Sequence, residues 1–392
     1  MPTEKTLRIG ILGFGGAGMA HAGYFSCVPC CVVKKIYDPM SERFKSVRQL
    51  FPHAECYFTL DNFWRDLDAV SICTPDATHA DYIVLALAQG LHVLCEKPLT
   101  DSEDGIRKIK AAAAGSDRVV ACLHQMRFVP LFRKIKSALR AKELGAVSYL
   151  EGYYVHNLVH RAFMNDDWRR RDNATPLVYS GCHFVDLLRW FADEEIVEVF
   201  AAANHLAFPE YPESDFNLVT LRFKSGIIGK VVVAFGAAGP QDHSIRIYGN
   251  RRSIDNNMMF NDVGGWERIL HEPILIQKSL LAHPNKATHH GYVRQLRSHL
   301  PPWLMGKIFL ATRLLARRPN NEYGARYYPV RLYEHALACV TAIEDFIQAA
   351  RQKRAPLCTV DEASKTMLAC LAGVESYRTN RPVRVRTLHE VM

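Results

Sequence analysis

The sequence predicts an α/β fold with two domains, the first built on a doubly wound parallel sheet and the second an α+β domain with an open, mainly antiparallel sheet. Up to about residue 124, short and continuously apolar β-rich runs alternate with helical patterns, as in a parallel sheet covered on both faces. Beyond residue 125, longer segments alternate apolar and polar residues, which is typical of a sheet with one buried face. The 392 residues also exceed the roughly 250 to 300 at which a single core stops growing. We therefore place the domains at 1–124 and 125–392.

The N-terminal elements are predicted from runs of apolar, often β-branched residues separated by amphipathic stretches. Strands are expected at 7–12, 31–37, 69–73, 92–95 and 119–123. Helices are expected after the glycines that follow the first strand and at 80–88 and 106–114. This alternation of strand and helix predicts parallel strands joined by crossover helices.

The C-terminal elements are longer. Strands are expected at 149–155, 216–223, 227–235 and 243–248, with Lys224-Ser225-Gly226 as a hairpin turn. Helices are expected at about 130–142, 180–191, 330–353 and 361–376. Residues 256–300 give no clear pattern. The basic amphipathic segment 301–318 predicts a packed or subunit-interface helix, with membrane-surface contact as the alternative.

Composition and charge limit the function classes. The net charge of +9 is spread along the chain without a nucleic-acid motif, so we expect it to steer anionic small molecules. No apolar run reaches the roughly 18 residues of a membrane span, and the polar start predicts no signal peptide, so a cytoplasmic protein is expected. The 11 cysteines are odd in number and lie mostly in apolar runs, which argues against a disulfide framework. Cys27, Cys30 and Cys31 have no partner pair with metal-site spacing, so we expect no metal.

A glycine-rich turn joins the first strand to the first helix. It reads Gly13, Phe14, Gly15, Gly16, Ala17, Gly18. A strand, this turn and a helix in that order are what a pyrophosphate site requires: Gly13 makes the tight turn, Gly15 lets the backbone approach the phosphates, and Gly18 permits close helix packing. The turn predicts a Rossmann dinucleotide-binding domain.

Asp38 supports that prediction and indicates which dinucleotide binds. It ends the second strand twenty residues after Gly18, where a carboxylate accepts hydrogen bonds from a ribose 2′-hydroxyl. The same carboxylate repels a 2′-phosphate, so we expect NAD rather than NADP. Ser41 and Arg43 follow Asp38 closely enough in the sequence to weaken this preference for NAD over NADP.

The reactive segment Glu96-Lys97-Pro98 ends the predicted strand 92–95. Ligands of open α/β sheets lie beyond the carboxyl ends of the strands, so Lys97 is expected to project toward the nicotinamide. Thr74 and Pro75, with His79 behind them, end the preceding strand on the same edge. We expect all of these residues to contact the cofactor.

At this point the sequence resembles the Gfo/Idh/MocA oxidoreductases, which include glucose-fructose oxidoreductase and inositol dehydrogenase. The resemblance rests on the glycine turn, Thr74-Pro75 with His79, Glu96-Lys97-Pro98, Arg127-Phe128-Val129-Pro130 and Gly181-Cys182-His183-Phe184-Val185-Asp186, with Tyr333-Glu334-His335 and Ser376-Tyr377-Arg378 fitting more loosely. It implies reversible oxidation of a sugar or cyclitol hydroxyl. The catalytic lysine and histidine of the family map onto Lys97 and His183. Many members place an aspartate four residues before the histidine, where this chain has Tyr179.

Hydride transfer explains why such residues are needed. A base must remove the hydroxyl proton, and a cation should stabilise the developing alkoxide. His183 titrates near neutrality, whereas lowering a lysine pKa from about 10.4 to near 7.5 takes roughly 4 kcal/mol. We therefore expect His183 to accept the proton and Lys97 to be the electrophile, with the reverse assignment open. Tyr179 either donates through its phenol or fills space.

Further residues are expected at the substrate. Asp186, one turn after His183, either orients it or binds a sugar hydroxyl. Arg127 either positions substrate or caps a domain junction. His156, Trp168 and Arg169 follow the first strand of the second sheet in polar or aromatic stretches suited to a sugar ring.

The resulting hypothesis is an NAD(P)-dependent dehydrogenase or reductase acting on a CH–OH group of a sugar, cyclitol or nucleotide sugar. Two alternatives remain open: redox-assisted glycoside cleavage with retained NAD, and a non-catalytic dinucleotide-sensing regulator. The joint presence of Lys97 and His183 favours chemistry. A homo-oligomer, dimer or tetramer, is expected from the family resemblance. Substrate identity and reaction direction cannot be predicted from these residues.

Overall fold

The computed structural model describes residues 5–159, 168, 174–238, 241–269 and 332–392. Two sheets form in these ranges, one of six strands and one of nine. The first is entirely parallel, and the second is mixed but mostly antiparallel. The predicted fold class is confirmed.

The first sheet is built by six strands in the order β3-β2-β1-β4-β5-β6. Its strands are β1 (Leu7–Leu12), β2 (Cys31–Tyr37), β3 (Glu55–Tyr57), β4 (Ala69–Ile72), β5 (His92–Cys95) and β6 (Val120–Cys122), and its helices are α1 (Gly16–Phe25), α2 (Phe44–Leu50), α3 (His79–Ala88) and α4 (Glu103–Ala114). The five predicted strands are confirmed to within a residue at each end. Strand β3 and helix α2 were not predicted. They have three and seven residues, which is too short for a clear hydrophobic period.

The second sheet has the order β14-β13-β12-β11-β7-β10-β9-β8-β15. Its strands are β7 (Val147–Val155), β8 (Ile196–Asn204), β9 (Phe216–Phe223), β10 (Ile228–Ala234), β11 (Ile245–Gly249), β12 (Arg252–Asp255), β13 (Met258–Asn261), β14 (Trp266–Arg268) and β15 (Val383–Arg384). The hairpin between β9 and β10 is confirmed. Strands β7 and β10 pair in parallel, which makes the sheet mixed.

The remaining helices lie against the two sheets and against one another. They are α5 (Pro130–Arg140), α6 (Cys182–Ala192), α7 (Leu332–Gln352) and α8 (Val360–Thr379), with the short α9 (Leu388–Val391) near the end of the chain. A π-helical turn, Leu177–Gly181, leads directly into α6. The predicted basic amphipathic segment 301–318 lies outside the described residues, as do 270–300. Within the ranges given above, no helix is both long and apolar enough to cross a membrane.

The last part of the chain returns to the first sheet. The Cys122 amide at edge strand β6 donates to the Cys358 carbonyl at 3.1 Å, and Ala121 bridges to Thr359. At the opposite end of that sheet, Arg351 of α7 donates to the carbonyls of Lys5 and Cys30. The chain therefore returns from the second sheet to the first before β15 joins the second sheet again.

A buried ion pair lies at the junction of the two domains. Arg127, in the 3-10 turn after β6, donates to Asp186 of α6 through Nε at 2.8 Å and Nη2 at 2.7 Å. Its guanidinium also contacts Glu362 of α8 and the Leu357 carbonyl. Both partners of the pair are at most 1% exposed. Burial by itself raises the pKa of Asp186, but Arg127 outweighs it and holds that pKa at about 2.

Asp186→Asn is expected to destabilise the fold, because it leaves a buried guanidinium without its counter-charge, a change that costs about 3 to 5 kcal/mol. Urea unfolding measures the loss as a lower midpoint. The matched control is Asp117→Asn, which removes the carboxylate of the exposed pair with Arg118 and should leave the midpoint unchanged. Equal effects of the two substitutions would show that the buried pair is not the stabilising contact.

Candidate active site

The glycine turn forms a backbone cradle at the carboxyl edge of the first sheet. Gly13 has a φ of 83°, and a Cβ there would lie 2.8 Å from the Cys73 carbonyl oxygen. A Cβ on Gly18 would lie 1.8 Å from the Gly13 carbonyl oxygen, whereas Gly16 has open space beside it. Two glycines thus permit tight packing and the residues between them leave the approach to the backbone free. These residues fit a dinucleotide pyrophosphate at the start of α1.

Asp38 is tied to this turn. Its Oδ2 atom accepts hydrogen bonds from the Phe14 amide and from Arg43 Nη1, each at 2.7 Å. Its Oδ1 atom accepts from the Met40 amide at 2.8 Å. The carboxylate therefore holds the end of β2 against the glycine turn, where the ribose of a dinucleotide lies.

The His79 ring contacts both proline-containing segments at the carboxyl edge of the first sheet. Its Nδ1 lies 2.8 Å from the Pro98 carbonyl oxygen and its Nε2 2.9 Å from that of Thr74. Burial lowers the pKa of His79, so the ring is neutral and donates through one nitrogen only. The predicted cofactor residues Thr74, Pro75 and Lys97 are thereby placed on one edge, with His79 beneath them.

A second buried contact, between Glu96 and His21, holds the reactive segment in place. Glu96 Oε1 lies 2.8 Å from His21 Nε2, and Glu96 Oε2 accepts from the Lys97 amide at 3.0 Å. Burial opposes the charge on His21, but Cys73 and Glu96 outweigh it and raise the pKa of His21 to about 10. His21 and hydrogen bonds lower the pKa of Glu96 to about 2 against its burial. Sequence analysis missed His21, whose only signal is its position one turn into α1.

Lys97 reaches across to the second half of the molecule. Its Nζ donates to the Tyr179 carbonyl oxygen at 3.0 Å and lies 4.1 Å from the centre of the Tyr179 ring. Burial by itself lowers the pKa of Lys97, but Tyr179, Cys182 and Glu96 outweigh it and raise that pKa. The ammonium is therefore charged at neutral pH.

The Tyr179 carbonyl lies within the π-helical turn. In a continuous α-helix the Tyr179 carbonyl would accept the amide four residues on, that of His183. In the turn Leu177–Gly181 the register shifts, and the Tyr179 carbonyl accepts from Lys97 Nζ. Such π turns often occur at functional sites.

His183 is the second residue of α6, which follows that turn directly. Burial lowers the pKa of its imidazole well below the ordinary value, and the charge of Lys97 adds to the effect. The Nδ1 atom has no hydrogen-bond partner among the described residues. Its ring stacks on Tyr154 of β7, with centroids 5.7 Å apart and planes within 14°. His183 is therefore a neutral imidazole held in orientation by an aromatic neighbour.

The stack continues along the second sheet. Tyr154 also stacks on His156 at 4.4 Å and on His243 at 4.9 Å. The Nε2 atoms of His156 and His243 lie 2.6 Å apart, and the Gln241 side chain contacts both. His156 was predicted at the site. His243 was missed, since it lies 87 residues further along the chain.

A cavity of about 110 Å³ lies beside Tyr179. Its lining is Asp76, Ala77, Asp101, Trp168, Ala174, Thr175, Val178 and Tyr179. The rings of Trp168 and Tyr179 meet edge to face at 6.0 Å. Trp168 thus lies next to the lysine contact, while Arg169 falls outside the described residues.

Arg127 and Asp186 were also predicted at the substrate. They pair with each other in the interior, so Arg127 occupies the domain junction that was the alternative to a substrate contact. Asp186 lies behind His183 on α6 and 3.8 Å from the Nδ1 atom of His124. The described residues therefore bring Lys97, Tyr179, Trp168 and His183 together and leave this pair as their support.

Family models match both halves of the chain. One, described as an oxidoreductase family with an NAD-binding Rossmann fold, matches residues 7–124, and another, the GFO/IDH/MocA C-terminal domain, matches residues 132–255. The chain belongs to the Gfo/Idh/MocA oxidoreductases. The predictions of this family, of an oxidoreductase and of NAD as its cofactor are confirmed. The boundary at 124/125 lies between the two matches and stays a prediction.

Curated Gfo/Idh/MocA relatives include inositol dehydrogenases. The chain is 25% identical over 264 residues to the myo-inositol 2-dehydrogenase of Thermotoga maritima, covering 63% of this chain and 74% of that protein. It is 30% identical over 233 residues to the inositol 2-dehydrogenase of Acidothermus cellulolyticus, covering 58% and 66%. The crystal structure of scyllo-inositol dehydrogenase from Lactobacillus casei with bound NAD(H) and scyllo-inositol has a TM-score of 0.72 at 18% identity, covering 97% of this chain and 99% of that one. This last likeness supports the fold.

The buried His124 predicts acid sensitivity. Burial lowers the pKa of His124 from 6.5 to about 4, against the attraction of Asp186. Between those values the unfolded chain binds more protons than the folded one, so the free energy of unfolding falls as the pH falls. This one residue should account for about 2 kcal/mol between pH 7.5 and pH 5.

Urea unfolding at the two pH values tests this expectation. His124→Phe should lose less stability on acidification than the wild type. Replacement of the exposed His53 by Gln is the control and should leave the loss on acidification unchanged. An unchanged acid loss in His124→Phe would contradict the assignment.

Proposed function

We propose that the chain transfers a hydride reversibly between NAD and a hydroxyl-bearing carbon of a cyclitol or sugar. The observation that carries the proposal is the contact of Lys97, at the carboxyl edge of the first sheet, with the turn that leads into His183. A cation and a neutral imidazole from distant segments are what oxidation of a hydroxyl needs at one place. When bound, NAD supplies the hydride acceptor.

Lys97 acts as the electrophile in this proposal. Its pKa is raised, so it holds its proton and stabilises negative charge on the substrate oxygen. The contact from Glu96 to its main-chain amide fixes the direction of the side chain. A lysine that stays charged cannot serve as the proton acceptor.

His183 is then the proton acceptor. Its ring is neutral above a pKa that burial holds well below 6.5, and stacking on Tyr154 restricts its rotation. Phe184 and Leu187, its neighbours on α6, are fully buried, which fixes the helix that carries it. We propose that Tyr179 serves through its carbonyl and ring rather than through its phenol.

The cavity favours an uncharged polyhydroxylated ring as the substrate. Trp168 offers an apolar face, while Asp76 and Asp101 offer acceptors for hydroxyl groups. Two carboxylates disfavour a sugar acid or nucleotide sugar, whose negative charge they would repel. The inositol dehydrogenases among the relatives agree with a cyclitol. Glycoside cleavage and a regulatory role gain no support from the comparisons.

Lys97→Gln is expected to lower kcat by about a hundredfold or more, because the alkoxide loses its cation. His183→Gln should lower kcat by about a hundredfold or more through loss of the base. Both should still bind NADH, measured by nicotinamide fluorescence. The reaction is assayed as NADH formation from a panel of cyclitols and sugars.

Tyr179→Phe is the matched variant, since it keeps the carbonyl and the ring. It should retain kcat within about threefold. A loss as large as that of Lys97→Gln would assign the chemistry to the phenol instead. Unchanged kcat in Lys97→Gln would overturn the proposed function.

A homo-oligomer is part of the same proposal. The outer face of the second sheet carries exposed apolar side chains from neighbouring strands, namely Phe200, Leu218, Ile228 and Tyr248. Paired residues across the ladders place them on one face. The same face also carries ion pairs such as Glu198 with Arg222. A sheet face that exposes apolar side chains is buried against a second copy in many symmetric dimers.

Leu218→Glu is expected to shift the protein toward monomer, because it places a charge in that face. Sedimentation velocity measures the change. Val263→Glu, at an exposed apolar position outside the face, should sediment like the wild type. A monomeric wild type would contradict the assembly.

A further inference from the structure

A second cavity lies at the end of α6 that is opposite His183. Its volume is about 200 Å³, larger than the cavity beside Tyr179, and its lining comes from α5, the last turn of α6 and the segments around the starts of β7 and β10. Phe191, in that last turn, follows His183 by eight residues, which is about 12 Å along a helix axis. This cavity is therefore separate from the candidate active site.

A buried lysine forms part of the cavity wall. Lys136 of α5 is 3% exposed, and its Nζ donates to the Trp190 carbonyl oxygen at 2.6 Å. The same Nζ lies 2.9 Å from Asp193 Oδ1. An ammonium has three N–H donors, so one of them remains for a further acceptor in the cavity.

The charge at this wall is not fully balanced. The side chain of Asp193 is 64% exposed, so water screens its carboxylate. Burial lowers the pKa of Lys136 against the attraction of Asp193, and the charge of Arg140 adds to the effect. Arg140, one turn after Lys136, is exposed and makes no hydrogen bond or ion pair with another described residue. Two cations thus face one carboxylate, which favours a ligand with a single negative charge.

The rest of the lining is largely apolar. Leu139, Leu150, Phe191 and Ile227 contribute to it, and Leu150 and Phe191 are at most 2% exposed. An apolar cavity of about 150 Å³ holds a benzene molecule, so this one has room for a ring and a small polar group. An inorganic anion would leave these side chains without a contact. The lining therefore favours an acid with an apolar body.

We propose that this cavity binds a small monocarboxylate whose apolar body is about the size of a benzene ring. The carboxylate accepts from Arg140 and from the remaining N–H of Lys136, and the apolar body lies against Leu150 and Phe191. One negative charge then balances the cation that Asp193 leaves uncompensated. The inference does not depend on the proposed hydride transfer.

Calorimetric titration of the purified full chain with benzoate tests the proposal. Benzoate should bind at one site per chain with a dissociation constant of about 1 mM or less. Benzamide has nearly the same shape without the charge and should bind about tenfold more weakly. Acetate keeps the charge but lacks the ring, and it should also bind about tenfold more weakly.

Three variants locate the bound acid. Arg140→Gln should weaken benzoate by about tenfold and leave benzamide unchanged, because only benzoate loses a charge-assisted hydrogen bond. Ala192→Leu places a larger side chain in the cavity and should abolish binding of both compounds. Arg133→Gln is the matched control, since it removes an exposed arginine of α5 outside the lining and should bind benzoate like the wild type.

NADH binding, followed by nicotinamide fluorescence, shows that each variant is folded. If Ala192→Leu does not fold, the comparison of Arg140→Gln with Arg133→Gln decides. The competing site for benzoate is the charged Lys97, so Lys97→Gln should leave the affinity for benzoate unchanged. A loss of benzoate binding in Lys97→Gln would overturn the inference.

The inference is also overturned if benzoate does not bind, if it binds no better than benzamide, or if Arg140→Gln and Arg133→Gln behave alike. These outcomes leave the hydride-transfer proposal intact, because that proposal is read from NADH formation and from the effects of Lys97→Gln and His183→Gln on kcat.

Discussion

Burial of charge between the two sheets is the constraint on which the rest of the structure depends. A charged group removed from water is tolerated only when a partner satisfies it. Arg127 meets this requirement through Asp186, and Lys97 meets it through the Tyr179 carbonyl. The Lys97 contact joins the two domains, and the Arg127 contact fixes the segment that links them to α6, so satisfying the charges also holds the domains against each other. The positions of the reactive side chains follow from that packing.

Local features of this fold could be predicted from the sequence, since their signals lie within a few residues. The glycine turn, the strand runs and the segment Glu96-Lys97-Pro98 each have a spacing that dictates a conformation. Strand β8 begins with Ile196, Val197 and Val199 but continues into three alanines, which are poor strand formers, and it was missed. The parallel pairing of β7 with β10 also has no local signal.

Pairings between distant segments could not be predicted in the same way. Arg127 and Asp186 are 59 residues apart, and His21 and Glu96 are 75 apart. Each residue type suits several roles. Arg127 was predicted either to position substrate or to cap the domain junction, and in the structure it pairs with Asp186 at that junction. His243 becomes a candidate only when the sheet places it on Tyr154. The sequence showed that Tyr179 stands where many relatives have an aspartate. It did not show that the main-chain carbonyl of Tyr179 accepts the hydrogen bond from Lys97.

The return of the chain to the first sheet, late in the sequence, has a consequence for biosynthesis. Strand β6 is an edge strand whose Cys122 amide is satisfied by Cys358, near the far end of the chain. During translation the parallel sheet is complete long before that residue leaves the ribosome. For most of synthesis the β6 edge of this sheet has no partner and the surface that receives α7 is uncovered. Exposed strand edges of this kind pair with strands of other chains. The nascent chain should therefore depend on chaperones until its final helices emerge.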